Sequence, residues 1–237
     1  MIKFEHTETY GWETAIRGMR NPLNSWAKSD SYPAVDCGKC GIVDREGVCV
    51  PKEHDCTPYR CYAIGENDLA LMKKLRAVGN DHGKFMRMIT VTVDITAPLY
   101  WWKEFDTYKV GTVANSCSTM HKIQAKEFTL EDFSCEHLLV SDENVICEDI
   151  PINILKQIIR SLNYYRKVFL KTKDKTYWWQ MIQLLPTSYN QRRTVQLNYA
   201  VLRNIYHSRQ NHKLNEWLDF CGWIKDLPYS ELITDTE

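Results

Sequence analysis

One run of β-branched residues sits in a chain whose other patterned segments follow a helical period, and this contrast constrains the fold most. Residues 88–95 read MITVTVDI, alternating and rich in Val, Ile and Thr, which predicts a strand. Ala97-Pro98 ends it, and Pro98 suits the first turn of a helix over 99–108. Elsewhere the spacing is helical. A short helix is expected around 14–20, broken by Asn21-Pro22 because the residue before proline leaves the helical region. Residues 66–78 carry Leu69, Met72, Leu75 and Val78 and stop at Gly79. Residues 152–170 place Ile154, Ile158, Leu162 and Tyr165 on one face, and 176–185 read as helical or mixed. Residues 194–208 predict a strong helix through Val195, Leu197, Val201, Leu202 and Ile205. A last helix over 213–225, capped by Asn211, is expected to bury Leu214, Trp217, Leu218 and Trp223. The small, polar segment 111–120 suits a loop that approaches a ligand. The implied class is α+β, a helix-rich domain with a small antiparallel or mixed sheet, rather than a doubly wound α/β fold.

Lysine plus arginine number 30, as do aspartate plus glutamate. A formal net charge of zero argues against a sequence-independent polyanion binder but not against a pocket for one or two phosphates. Residues 1–10 are polar, so no signal peptide is expected, and no run of ~18 apolar residues predicts a transmembrane helix. The nine cysteines, an odd count, read as mostly reduced thiols in a cytoplasm.

The stretch from Leu185-Pro186 to Arg209 carries Arg192, Asn198 and Asn204. Asn198 and Arg209 are eleven residues apart, about three helical turns, and would share a face, with Asn204 toward a neighbouring one. A guanidinium fork holds a phosphate or a pyrimidine edge, and amides satisfy ring carbonyls and N–H groups. The alternative is a solvated helix face.

This pattern resembles that of the flavin-dependent thymidylate synthases (ThyX), which have a Leu-Pro followed by an Arg, then a helix bearing Asn, Asn and Arg. The resemblance spans roughly residues 60–225. In that family the asparagines contact the flavin and the helix Arg contacts dUMP. The likeness therefore implies that Asn198 and Asn204 bind FAD and that Arg209, with Arg192, meets the nucleotide. A family His near the flavin is similar to His212, which falls one residue early. A second likeness runs from Gly79-Asn80-Asp81-His82 through the strand and Ala97-Pro98 to Tyr108-Lys109, Thr112, Asn115 and Ser118. The family signature there is Arg-His-Arg, two residues, Ser, one, Asn, two, Ser, one, Arg. Asn115 and Ser118 keep its Asn-x-x-Ser spacing. Thr112 matches the first Ser with one residue inserted, and Lys109 stands for the second Arg of the triplet. Arg-His-Arg itself is absent, and Met120 stands where the last Arg would be. Lys109 replaces a point charge but not a bidentate fork. Arg87 lies near a family His before the strand, and Glu104 near a substrate-contacting Gln; for each, the alternative is a surface charge.

The likeness implies an enzyme that methylates dUMP to dTMP with methylenetetrahydrofolate, FAD and NADPH, assembled as a homotetramer in the cytoplasm. Ser118 and Arg209 would act on the substrate. A catalytically degenerate nucleotide-binding or assembly module and a hydroxymethylating enzyme are the competing readings. Family chemistry needs no protein nucleophile, so Cys117 reads as a small buried thiol.

Residues 36–61 look like an insertion into one domain spanning 1–237. They hold five of the nine cysteines with Gly38, Gly41, Gly47, Pro51 and Pro58, a composition of loops and knuckles. Cys37 and Cys40 form a CxxC knuckle, and with Cys56 and Cys61, or Cys49 as a substitute, they could close a structural zinc site. Free or redox-sensitive thiols are the alternative. In the pairs Trp101-Trp102 and Trp178-Trp179, one ring of each is expected in the core, since adjacent helical residues face different ways.

Overall fold

A computed structural model describes residues 2–36, 42–43 and 59–235. The strands are β1 (Lys3–Tyr10), β2 (Tyr32–Asp36), β3 (Ile42–Val43), β4 (Tyr59–Ala63), β5 (Thr90–Pro98), β6 (Val113–Ser116) and β7 (Asn190–Asn198). The helices are α1 (Trp12–Arg20), α2 (Glu66–Val78), α3 (Leu99–Phe105), α4 (Pro151–Thr172), α5 (Lys175–Leu184), α6 (Tyr199–Arg209), α7 (Asn215–Lys225) and α8 (Glu231–Thr234). One sheet has the order β1-β5-β7-β6, with β6 antiparallel to β7; the other is β3-β2-β4, both of its pairs antiparallel. The class is α+β.

The chain forms two compact units. Unit 1 comprises Met1–Thr7, Thr92–Gln196 and His212–Phe220; unit 2 comprises Glu8–Val91, Leu197–Asn211 and Cys221–Glu237. Unit 1 has an aromatic core of Trp101, Trp102, Phe105, Trp217 and Phe220, with ring centroids 4.8–6.5 Å apart. A second cluster in unit 1 gathers Ile123, Phe128, Phe133, Leu155, Leu162 and Met181 beneath the α4–α5 pair. In unit 2, α1 buries Trp12, Ala15, Ile16 and Met19, an i, i+3, i+4, i+7 stripe. Trp12 meets Tyr199 and Tyr229 edge-on at 5.1 and 5.2 Å.

Several expectations need correction. Residues 194–208 are not one helix. Gln191, Val195 and Leu197 are buried while Arg192, Thr194 and Gln196 are exposed, which is the period of two of a strand. The helix begins only at Tyr199, where Asn198 has extended backbone angles and its side-chain oxygen accepts the Val201 N–H at 3.0 Å. Asn198 and Arg209 therefore do not share a helix face. Part of 111–120 is strand β6, which the reading missed because all four residues are exposed and no alternation marks it. Trp101 and Trp102 are both 0% exposed. Trp102 can be buried beside its neighbour because its indole N–H donates to the Gln191 carbonyl at 2.9 Å. Trp178 is half-buried and Trp179 exposed. Val78, Ile154 and Leu218 are exposed, at the ends or outer sides of their helices. The last long helix starts at Asn215 rather than 213. Cys117 is exposed, not buried, because it follows β6 at the rim of the sheet. Cys37, Cys40, Cys49 and Cys56 lie outside the described residues, and Cys61 is described only through its strand pairing with Ala34.

Candidate functional site

Unit 1 holds seven of the residues singled out by sequence: Glu104, Lys109, Thr112, Asn115, Ser118, Arg192 and His212. Helix α3 presents Glu104, half-buried, and the chain then turns through Lys109–Thr112, with the Thr112 N–H 3.4 Å from the Lys109 carbonyl. Gly111 takes φ 78° in this turn, the left-handed conformation that glycine adopts without penalty. The Lys109 ammonium is exposed and has no carboxylate partner among the described residues. The Thr112 hydroxyl oxygen is buried and has no hydrogen-bond partner among them.

Strand β6 follows, and Asn115 pairs with Thr194 while Ser116 pairs with Arg193. Cys117 is tied to β7 twice: its N–H donates to the Arg192 carbonyl at 2.9 Å, and its carbonyl accepts from the Gln191 side-chain amide at 2.7 Å. Ser118 is thereby set at the end of the strand. Its hydroxyl oxygen accepts the N–H groups of His121 at 2.8 Å and Met120 at 3.3 Å, which leaves the hydroxyl proton available to a ligand.

Arg192 lies on the outer side of β7 within an ion cluster. Its guanidinium donates to Asp94 at 2.6 Å and lies 3.5 Å from Glu5. The other Asp94 oxygen accepts the Thr194 hydroxyl at 2.5 Å. These bonds, Thr194 first and Arg192 second, hold the Asp94 carboxyl below the usual carboxylate range, and Asp94 in turn raises the Arg192 pKa. Two carboxylates thus already answer the Arg192 charge. Arg193, one residue on, points the other way: it pairs with Asp106 at 2.7 Å and lies 4.2 Å above the Trp102 ring.

Glu104 and His212 are brought together. The imidazole Nε2 is 3.5 Å from a Glu104 oxygen that also accepts the Trp217 indole N–H at 2.8 Å. His212 Nδ1 accepts the Leu214 N–H at 3.2 Å, so in the neutral ring the proton sits on Nε2, facing Glu104. The His212 and Trp217 rings meet edge-on at 6.1 Å. Beside them Tyr100 donates to Glu216, which is 8% exposed, and burial followed by that carboxylate pushes the Tyr100 pKa up. Tyr100, Gln191 and Glu216 were not singled out by sequence, and Trp217 was expected only as a core residue. Their partners are far away along the chain, 113 residues for Trp217 and Glu104, and no local period signals such contacts.

Unit 2 holds Arg87, Asn198, Asn204 and Arg209. Arg87 is exposed at the end of a 3-10 turn, Gly83–Arg87, just before β5. Asn198 caps α6 through its carbonyl oxygen, and its amide N–H₂ stays free to donate. Asn204 is exposed midway along α6, and Arg209 ends the helix half-buried. No group of three or more His, Cys, Asp or Glu side chains suited to a metal occurs among the described residues.

No protein-family model and no curated protein matches the sequence. Solved structures do. The fold is similar to that of the flavin-dependent thymidylate synthase ThyX from Helicobacter pylori complexed with FAD and dUMP, with a TM-score of 0.61, 14% identity, and coverage of 99% of this chain and 98% of that one. A second structure of Helicobacter pylori ThyX with FAD and dUMP gives a TM-score of 0.60 at 15% identity, covering 99% and 97%. The ThyX fold expected from the sequence motifs is thus the fold of this chain.

Proposed function

We propose that this protein is a flavin-dependent thymidylate synthase-type enzyme that binds FAD and methylates dUMP to dTMP, with methylenetetrahydrofolate as carbon donor and NADPH as reductant. The observation that carries this reading is the likeness, over 99% of the chain, to a structure complexed with FAD and dUMP. FAD would be held by Arg87, Lys109, Thr112, Asn115, Asn198, Asn204 and His212. The residues fit a flavin in one checkable respect: the buried Thr112 hydroxyl has no partner among the described residues, and such a group calls for one. The free amide N–H₂ of Asn198 and the exposed Asn115 and Asn204 add donors for ring carbonyls. When bound, the flavin supplies the redox chemistry. The nucleotide would meet Arg209, Arg192, Glu104 and Ser118, with Ser118 and Arg209 acting on the substrate. A free Ser118 hydroxyl proton can draw electron density onto a pyrimidine carbonyl, and Arg209 can meet the phosphate. We further assign the protein to the cytoplasm as a homotetramer, with a structural zinc on Cys37, Cys40, Cys56 and Cys61. Among the described residues no helix is long and apolar enough to cross a membrane.

The absorbance spectrum of the protein as isolated is the first test, with the visible bands of oxidised flavin as the expected result. A colourless protein that ignores added FAD would remove the reading. A metal assay decides the zinc, since less than one equivalent with all thiols titratable in the folded state rules it out.

A second reading is favoured by two observations. The Arg-His-Arg signature is replaced by a stretch ending Tyr108-Lys109, and the Arg192 charge is already met by Asp94 and Glu5. A nucleotide-binding module without turnover would bind dUMP in calorimetry yet release no tritium from C5-labelled dUMP. Tritium release with formation of a hydroxymethyl product would point instead to a C5-hydroxymethylating enzyme.

A further inference from the structure

After β6 the chain of unit 1 runs through residues 117–128 without helix or strand, so its carbonyl groups need partners from elsewhere. Side chains of the α4–α5 pair supply them at every fourth residue. Trp178 donates its indole N–H to the Met120 carbonyl at 2.9 Å, Arg166 its Nε–H to the Gln124 carbonyl at 2.9 Å, and Asn163 its amide to the Phe128 carbonyl at 2.8 Å. Asn163 also accepts the Phe128 N–H at 2.9 Å. Ile123 and Phe128, both 4% exposed, sit in the cluster beneath the same helices. The segment is thereby laid along α4 and α5, and Ser118 stands at its start.

Trp178 bears on Ser118 through a single peptide group. The Met120 carbonyl and the His121 N–H belong to one planar unit, so a bond to either end orients both. The Trp178 N–H holds the carbonyl end, and the other end donates to Ser118 Oγ at 2.8 Å. The Gln124 amide donates to the next carbonyl, that of His121, at 3.1 Å and restrains the following peptide. The line runs from indole N–H to carbonyl, from amide N–H to hydroxyl oxygen, and outward along the Ser118 O–H. Bonds in such a chain polarise one another. Donation to the carbonyl makes the amide a stronger donor, and that in turn strengthens the Ser118 hydroxyl as a donor.

We propose that Trp178 is a positioning residue for Ser118. Through the Met120–His121 peptide group it sets the direction and the donor strength of the Ser118 hydroxyl toward a nucleotide carbonyl. Trp178 acts without touching the nucleotide. The role rests on the reading of Ser118 as a nucleotide contact, but the mechanical link from Trp178 to Ser118 can be measured with no nucleotide present.

The test uses the full chain, loaded with FAD for the nucleotide measurements. In Trp178→Phe a ring still packs but the N–H is gone. Before nucleotide is added, the His121 amide proton is expected to move upfield in NMR and to exchange with solvent about three- to tenfold faster. In calorimetry dUMP should bind about three- to tenfold more weakly while FAD affinity is unchanged, a split that a general loss of packing would not give. In the Ser118→Ala background the same substitution should cost no further dUMP affinity, because the group that Trp178 acts on is gone. Should Trp178→Phe not fold, benzothienylalanine in place of Trp178, which keeps the fused rings and exchanges only the N–H for sulfur, should give the same results. An unmoved His121 signal, an equal loss of FAD affinity, or additive losses in the double variant would each overturn the role of Trp178. A shifted His121 signal in a protein whose dUMP binding is the same with and without the Ser118 hydroxyl would support the link and refute only the nucleotide reading of Ser118.

Discussion

Replacing Asp68 with alanine should destabilise unit 2 by about 3–5 kcal/mol, because it strands a buried cation. Asp68 is 0% exposed and accepts five hydrogen bonds: from Arg20 Nε at 2.6 Å, the Ser31 and Ser29 hydroxyls at 2.6 and 2.7 Å, and the N–H groups of Asp30 and Ser31 at 3.1 and 3.2 Å. Arg20 is 3% exposed and, among the described residues, would keep its 3.2 Å contacts to the Ser25 carbonyl and hydroxyl. Against a total stability of about 5–15 kcal/mol for a typical protein, the loss is large. Guanidinium unfolding followed by tryptophan fluorescence, with amide exchange in α1 and α2 as the local readout, measures it. Adding Arg20→Met should recover part of the loss, since the unpaired charge goes with it. The pH dependence has a definite sign. Burial alone would raise the Asp68 pKa, but the bonds from Ser31, Ser29 and Arg20 outweigh it, and the net value is depressed. The contribution is therefore complete above about pH 4, the unfolded value, and is lost as pH falls through the lower folded value. A loss under about 1 kcal/mol in Asp68→Ala, or a double variant no more stable than the single one, would refute the reasoning.

Other outcomes are equally specific. Gly65→Ala should cost about 1–2 kcal/mol in thermal unfolding, because a Cβ there would lie 2.1 Å from Asp30 Cγ, and the Asp30 carboxylate caps α2 by accepting the Asn67 and Asp68 N–H groups. An unshifted transition would show that this cap is dispensable. Arg192→Gln should raise the Asp94 pKa, as read by carboxyl ¹³C NMR, because Arg192 lowers it through both a hydrogen bond and its charge; an unchanged value would contradict the bond pattern. At pH 8 a thiol reagent should label the exposed Cys117 and Cys147 in the folded protein. Cys221, pushed up to about 11 by burial, should react only on unfolding; peptide mapping of the labelled sites distinguishes them. Arg209→Ala should weaken dUMP binding by about 1.5–3 kcal/mol in calorimetry, and unaltered affinity would displace the proposed pocket.

Elements that bury one stripe on a nearby core were legible in the sequence. The apolar spacing and the Gly79 stop delimit α2 at Glu66–Val78, although the stripe it buries is Asp68, Met72 and Arg76 and not the apolar one, and the β-branched run marks the centre of β5. The motif from Pro186 to Arg209 led to the right fold, but its local structure was misread. Val195, Leu197, Val201, Leu202 and Ile205 satisfy a helical count, although the first two belong to a strand. Short apolar runs fit both periods, and the pairing of β7 with β6 decides. The exposed edge strand β6 carries no alternation to read. The meeting of Glu104, His212 and Trp217, and the neutralisation of Arg192 by Asp94 and Glu5, are tertiary facts that no window along the chain contains.

The two-residue period of β7 also sets what kind of sequence drift this segment can absorb. Arg192 faces a carboxylate pair and Arg193 covers an indole, so adjacent identical residues have opposite surroundings. Deleting one position between 190 and 198 would send Val195 and Leu197 outward and draw the polar set inward. Relatives of this chain should therefore differ here by exchange of side chains and keep the spacing from Pro186 to Asn198 constant, while changes of length collect elsewhere.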